Sequence, residues 1–267
     1  MGLGFGGEVA KYYAKYRRGY PSEVVDAIAA TFGLTTDDVV IDLGCGTGQL
    51  TFPLAERVRS IVGIDPEPDM LELARLTAEA QSVDNIFWLL GADRDVPNLA
   101  SLLGSGTVGA VTTAVAIHWM NREALFAAAR PLLRPGGGIA VVTNGTPLWL
   151  QDTDWSRIVR QRLEQWLGRS LTSSCQTDDD GRALNRKALE SAGYRVTQST
   201  VDYDADLTID DLIGGIFSAI SADRLPSIPE RNEFADQLYG ALAPDDHVTE
   251  HVRVHLQFGH PVDVDNS

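Results

Sequence analysis

"VVIDLGCGTGQL", residues 39–50, sets Gly44, Gly46 and Gly48 at alternate positions directly behind an apolar run that carries Asp42. Glycines in such a turn adopt left-handed backbone angles and let a ligand lie on the main chain without meeting a Cβ. Val39–Leu43 reads as a strand buried on both faces, and QLTFPLAERV after the glycines reads as a helix. This strand, bare turn and helix form the nucleotide corner of an open α/β sheet. A phosphate-cradling P-loop is excluded, because no Gly-Lys-Ser/Thr follows. The dinucleotide fingerprint GxGxxG also fails: the spacing is GxGxG, and Gln49 stands at the last fingerprint position.

Asp65 ends the next apolar run, in IVGIDPEPDML. A carboxylate at that strand tip accepts both ribose hydroxyl protons, in a nicotinamide dinucleotide and in S-adenosylmethionine alike. The far end of the cofactor separates the two. A pyrophosphate needs bare amides at a helix N-terminus, whereas a methionine tail brings an ammonium that a further carboxylate offsets directly or through water. Asp42 therefore favours the sulfonium cofactor.

Working outward, short Val/Ile/Ala-rich runs alternate with helical patterns through the first 150 residues, the layout of a parallel sheet covered by helices. Strands are expected at 39–43, 60–64, 86–90, 109–114 and 138–143, with helices in PEPDMLELARLTAEAQ and NREALFAAARPLL. Residues 153–168 read as an amphipathic helix, 171–182 as a loop, 183–193 as a helix and 194–204 as a strand. Val252, Val254, Leu256 and Phe258 alternate with polar residues, the period of a half-buried strand that would pair antiparallel with 194–204 at one sheet edge. The fold expected is α/β: a doubly wound, mostly parallel, seven-stranded Rossmann-like sheet with an antiparallel edge strand and a helical cap. Residues 1–36 read as an arm and first helix closing over the cofactor. The core spans 37–206 and 247–267, with a helical substrate segment at about 147–182 and a cap insertion at 207–246.

With these blocks placed, the chain resembles the class I S-adenosylmethionine-dependent methyltransferases, within them the small-molecule group of trans-aconitate and ubiquinone/menaquinone methyltransferases. The resemblance lies in IDLGCGTG at 41–48, GIDPEPDMLELAR at 63–75, GAD at 91–93, and TAVAIHWM followed by LRPGGG. It implies that Gly44, Cys45, Gly46 and Gly48 line the cofactor turn and that Asp65 and Pro66 meet the ribose. It further implies that Met70 packs on the adenine, Ala92 flanks the ring, Asp93 accepts from its amino group and Ala114 borders the site. The arm FGGEVAKYYAKYRRGYP resembles a lead-in of these enzymes, with Tyr13, Arg17, Tyr20 and Pro21 matching and Arg18 replacing a proline. Arg17 would pair with the cofactor's carboxylate while Tyr13 closes over it.

His118 lies at the C-terminal end of the fourth strand, where open α/β sheets place ligands. Its imidazole titrates near neutrality, so it serves as a base for a hydroxyl acceptor or as a group that orients it. His118, Trp119, Trp149, Trp155 and Phe217 are the candidate acceptor wall. The acidic run Asp202, Asp204, Asp206, Asp210 and Asp211 gives a lean toward an amine or amino-sugar nitrogen, with O-methylation of a hydroxyl or carboxylate as the alternative and secondary metabolism, including antibiotic biosynthesis, as the setting.

Net charge is −15, and residues 151–267 carry 21 acidic against 11 basic side chains, so no Lys/Arg surface for nucleic acid is expected. Two cysteines without a CxxC, and His251 and His255 without a third ligand, argue against a disulfide framework and a metal site. With no membrane-length apolar run and no basic-then-apolar leader, a cytoplasmic monomer or homodimer acting on a small molecule is expected. Two other classes stay open: a nicotinamide-dependent oxidoreductase, and a non-catalytic protein that binds the cofactor.

Overall fold

The computed structural model describes residues 4–171, 176–243 and 246–262. Cys175, part of the expected loop at 171–182, positions 244–245 of the expected cap and 263–267 of the expected core lie outside the described residues.

An arm helix α1 (Glu8–Tyr16) and α2 (Ser22–Phe32) precede β1 (Val39–Leu43). Then come α3 (Thr51–Ala55), β2 (Ser60–Asp65), α4 (Pro68–Gln81), β3 (Ile86–Leu90), α5 (Val96–Leu103), β4 (Val108–Ala114), α6 (Arg122–Ala129) and β5 (Leu133–Asn144). The rest of the chain forms α7 (Asp154–Leu167), α8 (Asp179–Ser191), β6 (Tyr194–Thr208), α9 (Ile209–Phe217), α10 (Ile228–Leu242) and β7 (His247–Pro261). One sheet runs β3-β2-β1-β4-β5-β7-β6. The first five strands are parallel, and β7 runs against both β5 and β6. The order reverses between β1 and β4, so the crevice above their C-terminal ends is the switch point where such sheets bind ligands.

Local chemistry explains the boundaries. Every residue of β1 is buried, as a strand covered on both faces requires. Pro68 starts α4 where its missing N–H costs nothing, and Gly33 and Gly168 end α2 and α7 in left-handed backbone. Helix α8 begins at Asp179, four residues before the expected start, because the Asp178 carboxylate accepts the Gly181 N–H at 2.9 Å and the acidic run suits the first turn. Strand β6 extends past the expected Asp204 to Thr208, since its ladder with β7 continues to Thr208↔His247. Thr208 then caps α9, accepting from Asp211 N–H at 3.1 Å.

Apolar cores fill both sheet faces. A third core, apart from them, joins Val159 and Leu163 of α7, Leu212 and Ile216 of α9, and Phe234 and Leu238 of α10. The segment at α7 thus packs as one body with the 207–246 insertion. Helix α1 docks on that body. Arg231 of α10 donates to Tyr12 Oη at 3.0 Å and Glu8 Oε2 at 2.9 Å, and the Tyr16 ring lies against Gly214 of α9 so closely that a Cβ there would sit 2.1 Å from it.

Candidate functional site

The glycine turn packs against the end of β4. Gly44 has φ +68°, and a Cβ there would lie 2.4 Å from the Ala116 Cβ, so both conformation and space demand glycine. Its N–H and that of Cys45 donate to the Ile64 carbonyl at 2.8 and 3.1 Å, tying the turn to β2. Asp65, at the tip of β2, accepts the Gly46 N–H on Oδ2 and the Glu67 N–H on Oδ1, both at 2.9 Å. Burial pushes its carboxyl above the ordinary carboxylate range, while the Glu67 and Gly46 amides pull it back. Each oxygen keeps acceptor capacity toward the crevice.

The arm covers this corner. Glu67 accepts the Gly4 and Phe5 N–H groups at 2.8 and 3.3 Å, and Asp69 accepts that of Gly7 at 2.5 Å. Phe5 meets Trp119 edge to face at 6.0 Å. Tyr13 lies over the turn, with its ring 3.5 Å from a Cβ built on Gly46, and Arg17 lies over the Tyr13 ring at 5.3 Å. Arg17 Nε donates to Ser218 Oγ at 2.8 Å, and its terminal nitrogens have no partner among the described residues.

His118 sits in a single 3-10 turn, Ile117–Trp119, just beyond β4. The chain enters this turn through Val115 at φ 52°, left-handed backbone that a β-branched side chain adopts only under strain of about 1–3 kcal/mol. The Val115 N–H donates to the Val142 carbonyl at 2.9 Å, fixing that geometry. Burial first, then the Arg122 charge, lowers the His118 pKa, so the neutral imidazole prevails at neutral pH.

These groups line one cavity of about 1320 Å³ between sheet, arm and cap. Residues 40–137 match the family model for a methyltransferase domain. Over that segment the chain is similar to methyltransferase domains. An uncharacterized methyltransferase of Mycobacterium tuberculosis is 36% identical over 144 residues, covering 54% of this chain and 53% of that protein. A Dictyostelium discoideum protein named as a methyltransferase is 24% identical over 85% of this chain and 83% of its own. The chain spans about half the length of the first curated relatives it matches. In fold, it is similar to a protein of Anaeromyxobacter dehalogenans described as a type II methyltransferase, with TM-score 0.60, 20% identity and coverage of 91% and 95%.

On the wall of this cavity lie Tyr13, Arg17, Gly44, Gly46, Asp65 and Pro66, with Met70, Ala92, Asp93, Ala114, His118, Trp119 and Trp149. Five expected residues are elsewhere. Asp42 is 1% exposed and accepts the hydroxyls of Thr51 at 2.6 Å and Thr112 at 2.7 Å, so it braces β1 to α3 and β4 and does not reach the wall. Cys45 turns its buried thiol toward Gly63, and Gly48 faces the Phe52 ring. Phe217 is 4% exposed in the cap core, where it meets Phe234, and Trp155 packs against that core and donates to the Thr249 carbonyl at 3.2 Å.

The acidic run is also engaged. Asp202 pairs with Arg253 at 2.7 Å and Asp204 with His251 at 2.5 Å, each directly across the β6–β7 ladder. Asp206 accepts from Thr249, Asp210 from Tyr239 and Asp211 from Thr208. Wall residues not expected from sequence are Phe5, Glu67, Arg169, Arg224, Tyr203 and Glu250. Among them only Glu67 and Phe5 stood in quoted motifs, and the rest converge through cap and sheet edge. No described helix is long and apolar enough to cross a membrane.

Proposed function

We propose that the protein transfers a methyl group from S-adenosylmethionine to a small organic acceptor held between arm, cap and the end of β4. The observation that carries this is Asp65: a buried carboxylate fixed by two backbone N–H groups, facing the crevice at the sheet's switch point. The residues present fit that cofactor. A bare turn, a ribose acceptor and the unpartnered terminal nitrogens of Arg17 share one wall.

When bound, the cofactor supplies a methyl activated by a positively charged sulfur. Asp65 accepts the ribose hydroxyls, and Met70 and Ala92 supply apolar flanks for the adenine, with Asp93 taking its amino group. Arg17 holds the carboxylate, and Tyr13 together with the Phe5–Trp119 pair excludes water from the transfer. Neutral His118 accepts a proton from an acceptor hydroxyl or aligns it, and the main contribution of the protein is alignment.

An oxygen acceptor fits this wall better than an amine, because every aspartate of the acidic run already has a partner. Calorimetry with S-adenosylhomocysteine tests the cofactor reading. Micromolar binding is expected for the protein and a fall of about a hundredfold for Asp65→Ala, equal to about 2.7 kcal/mol. No heat from either the cofactor or its demethylated product rejects the proposal, and transfer of labelled methyl to a metabolite panel identifies the acceptor.

A further inference from the structure

We infer that the acceptor is an organic anion, an apolar body whose acidic head is held by Arg169 and Arg224 on the cap side of the cavity. This rests on the reading of the cavity as a methyl-transfer site. It concerns which molecules enter, whichever atom takes the methyl.

The charge inventory of the acceptor side is one-sided. Its two carboxylates are already engaged: Glu250 accepts from Arg18 and from Gln151 Nε2 at 2.8 Å, and Asp211 accepts the Thr208 N–H at 3.0 Å and hydroxyl at 2.6 Å. The arginines are not. Arg169, just past the left-handed Gly168 that ends α7, lines the cavity and makes no hydrogen bond or ion pair among the described residues. Arg224 reaches only its sequence neighbour Asp223, at 4.0 Å, with both side chains about three-quarters exposed (70% and 75%). So exposed and distant a pair contributes little and leaves the guanidinium available for a better acceptor.

The placement of the two arginines ties them to the acceptor. The turn that carries Arg224 is pinned to the arm, where Ala222 N–H donates to the Gly4 carbonyl at 2.7 Å, next to Phe5 and the half-exposed Trp119. Leu148, Trp149, Leu167, Leu171 and Ile220 line the same cavity as the two arginines and His118 and give it apolar surface. A ligand that fits offers hydrocarbon to that surface and an anion to the guanidinium groups, which hold carboxylate, sulfate or phosphate oxygens in a fork.

A net charge of −15 opposes anion binding only at long range, and at about 0.1 M salt that repulsion is screened beyond about 10 Å. The nearest unpaired charges then decide, and these are the arginines.

The test uses decanoate, decylamine and decan-1-ol as probes, titrated by calorimetry into the full chain saturated with S-adenosylhomocysteine. Decanoate is expected to bind at least about tenfold more tightly than either uncharged or cationic partner, and Arg169→Gln/Arg224→Gln is expected to remove that preference. Decyl sulfate and decyl phosphate replace decanoate in parallel runs and rank the acid groups. The heat of S-adenosylhomocysteine itself is the control, since both substituted side chains are exposed and neither bonds Asp65 or the glycine turn. If that heat is absent, the methyl-transfer reading fails. If it is present and decylamine binds as well as decanoate, decanoate does not bind, or the double substitution leaves the preference intact, the anion inference is overturned.

Discussion

Arg18, on the stretch leading out of the arm, donates to Glu250 of β7, whose side chain is only 7% exposed. The pair ties arm to sheet edge, and the other donor to that carboxylate is Gln151 Nε2 at 2.8 Å. Removing the cation strands a buried negative charge, which costs more than the intact pair contributes. Because Arg18 is partly exposed, Arg18→Met should cost about 1–3 kcal/mol in urea unfolding, below the fully buried range. Glu250→Gln in the same chain should recover most of it. A double-mutant cycle with coupling under about 0.5 kcal/mol would show that the pair does not act as a latch.

For His118, burial and the Arg122 charge place the folded pKa below the ordinary value. The neutral form is the active one, so kcat/KM should fall only as pH drops through that lowered value, below about 6.5. The same depression means that the stability tied to His118 is present above its unfolded pKa and lost on acidification through the folded one. Arg122→Gln should move the acid limb of kcat/KM upward. An unmoved limb, with His118→Asn turning over at the parent rate, would remove His118 from the proton path.

Seating of the arm depends on Gly214, where a Cβ would lie 2.1 Å from the Tyr16 ring. Gly214→Ala should force that ring out and loosen α1 from the cap. S-adenosylhomocysteine should then leave about tenfold faster in stopped flow while the unfolding midpoint moves little, because arm opening is local. Equal off-rates would mean that the arm does not gate the cofactor.

How far the sequence could be read follows from the range over which each feature is determined. Val39–Leu43, the glycine turn and Asp65 were legible because strand, turn and tip are local and their spacing is fixed by the sheet. Gly44 and Asp65 converge because neighbouring parallel strands end together. The cap wall was not legible. Phe217 and Arg224 lie seven residues apart, yet one is buried in the cap core and the other lines the cavity. Helical periodicity marks Phe217 as apolar-facing but cannot say whether that face meets ligand or α10. Asp42 stands apart from the wall for a related reason: its place in the motif is visible in sequence, while Thr51 and Thr112, which donate to its two oxygens, come from separate elements. The strain at Val115 carries no sequence signal at all, since valine is the residue a strand would choose.

Asp42 also offers a pH test that separates bracing from ligand binding. Burial raises its pKa from 3.8 to about 6, against the pull of the Thr51 and Thr112 hydroxyls. A raised carboxyl favours the folded state while protonated, so its contribution is full below the unfolded value, near 4, and is lost as pH rises through about 6. Asn does not titrate, so Asp42→Asn should remove that slope. From pH 8 to pH 4 the stability of the parent should gain on the substituted chain by about 2 kcal/mol in matched urea titrations. Because both carboxylate oxygens are satisfied inside the fold, affinity for S-adenosylhomocysteine at pH 8 should change by less than about threefold, within 0.7 kcal/mol. A tenfold loss there, with the pH slope unchanged, would mean that Asp42 meets the cofactor's ammonium and that its two threonines are secondary.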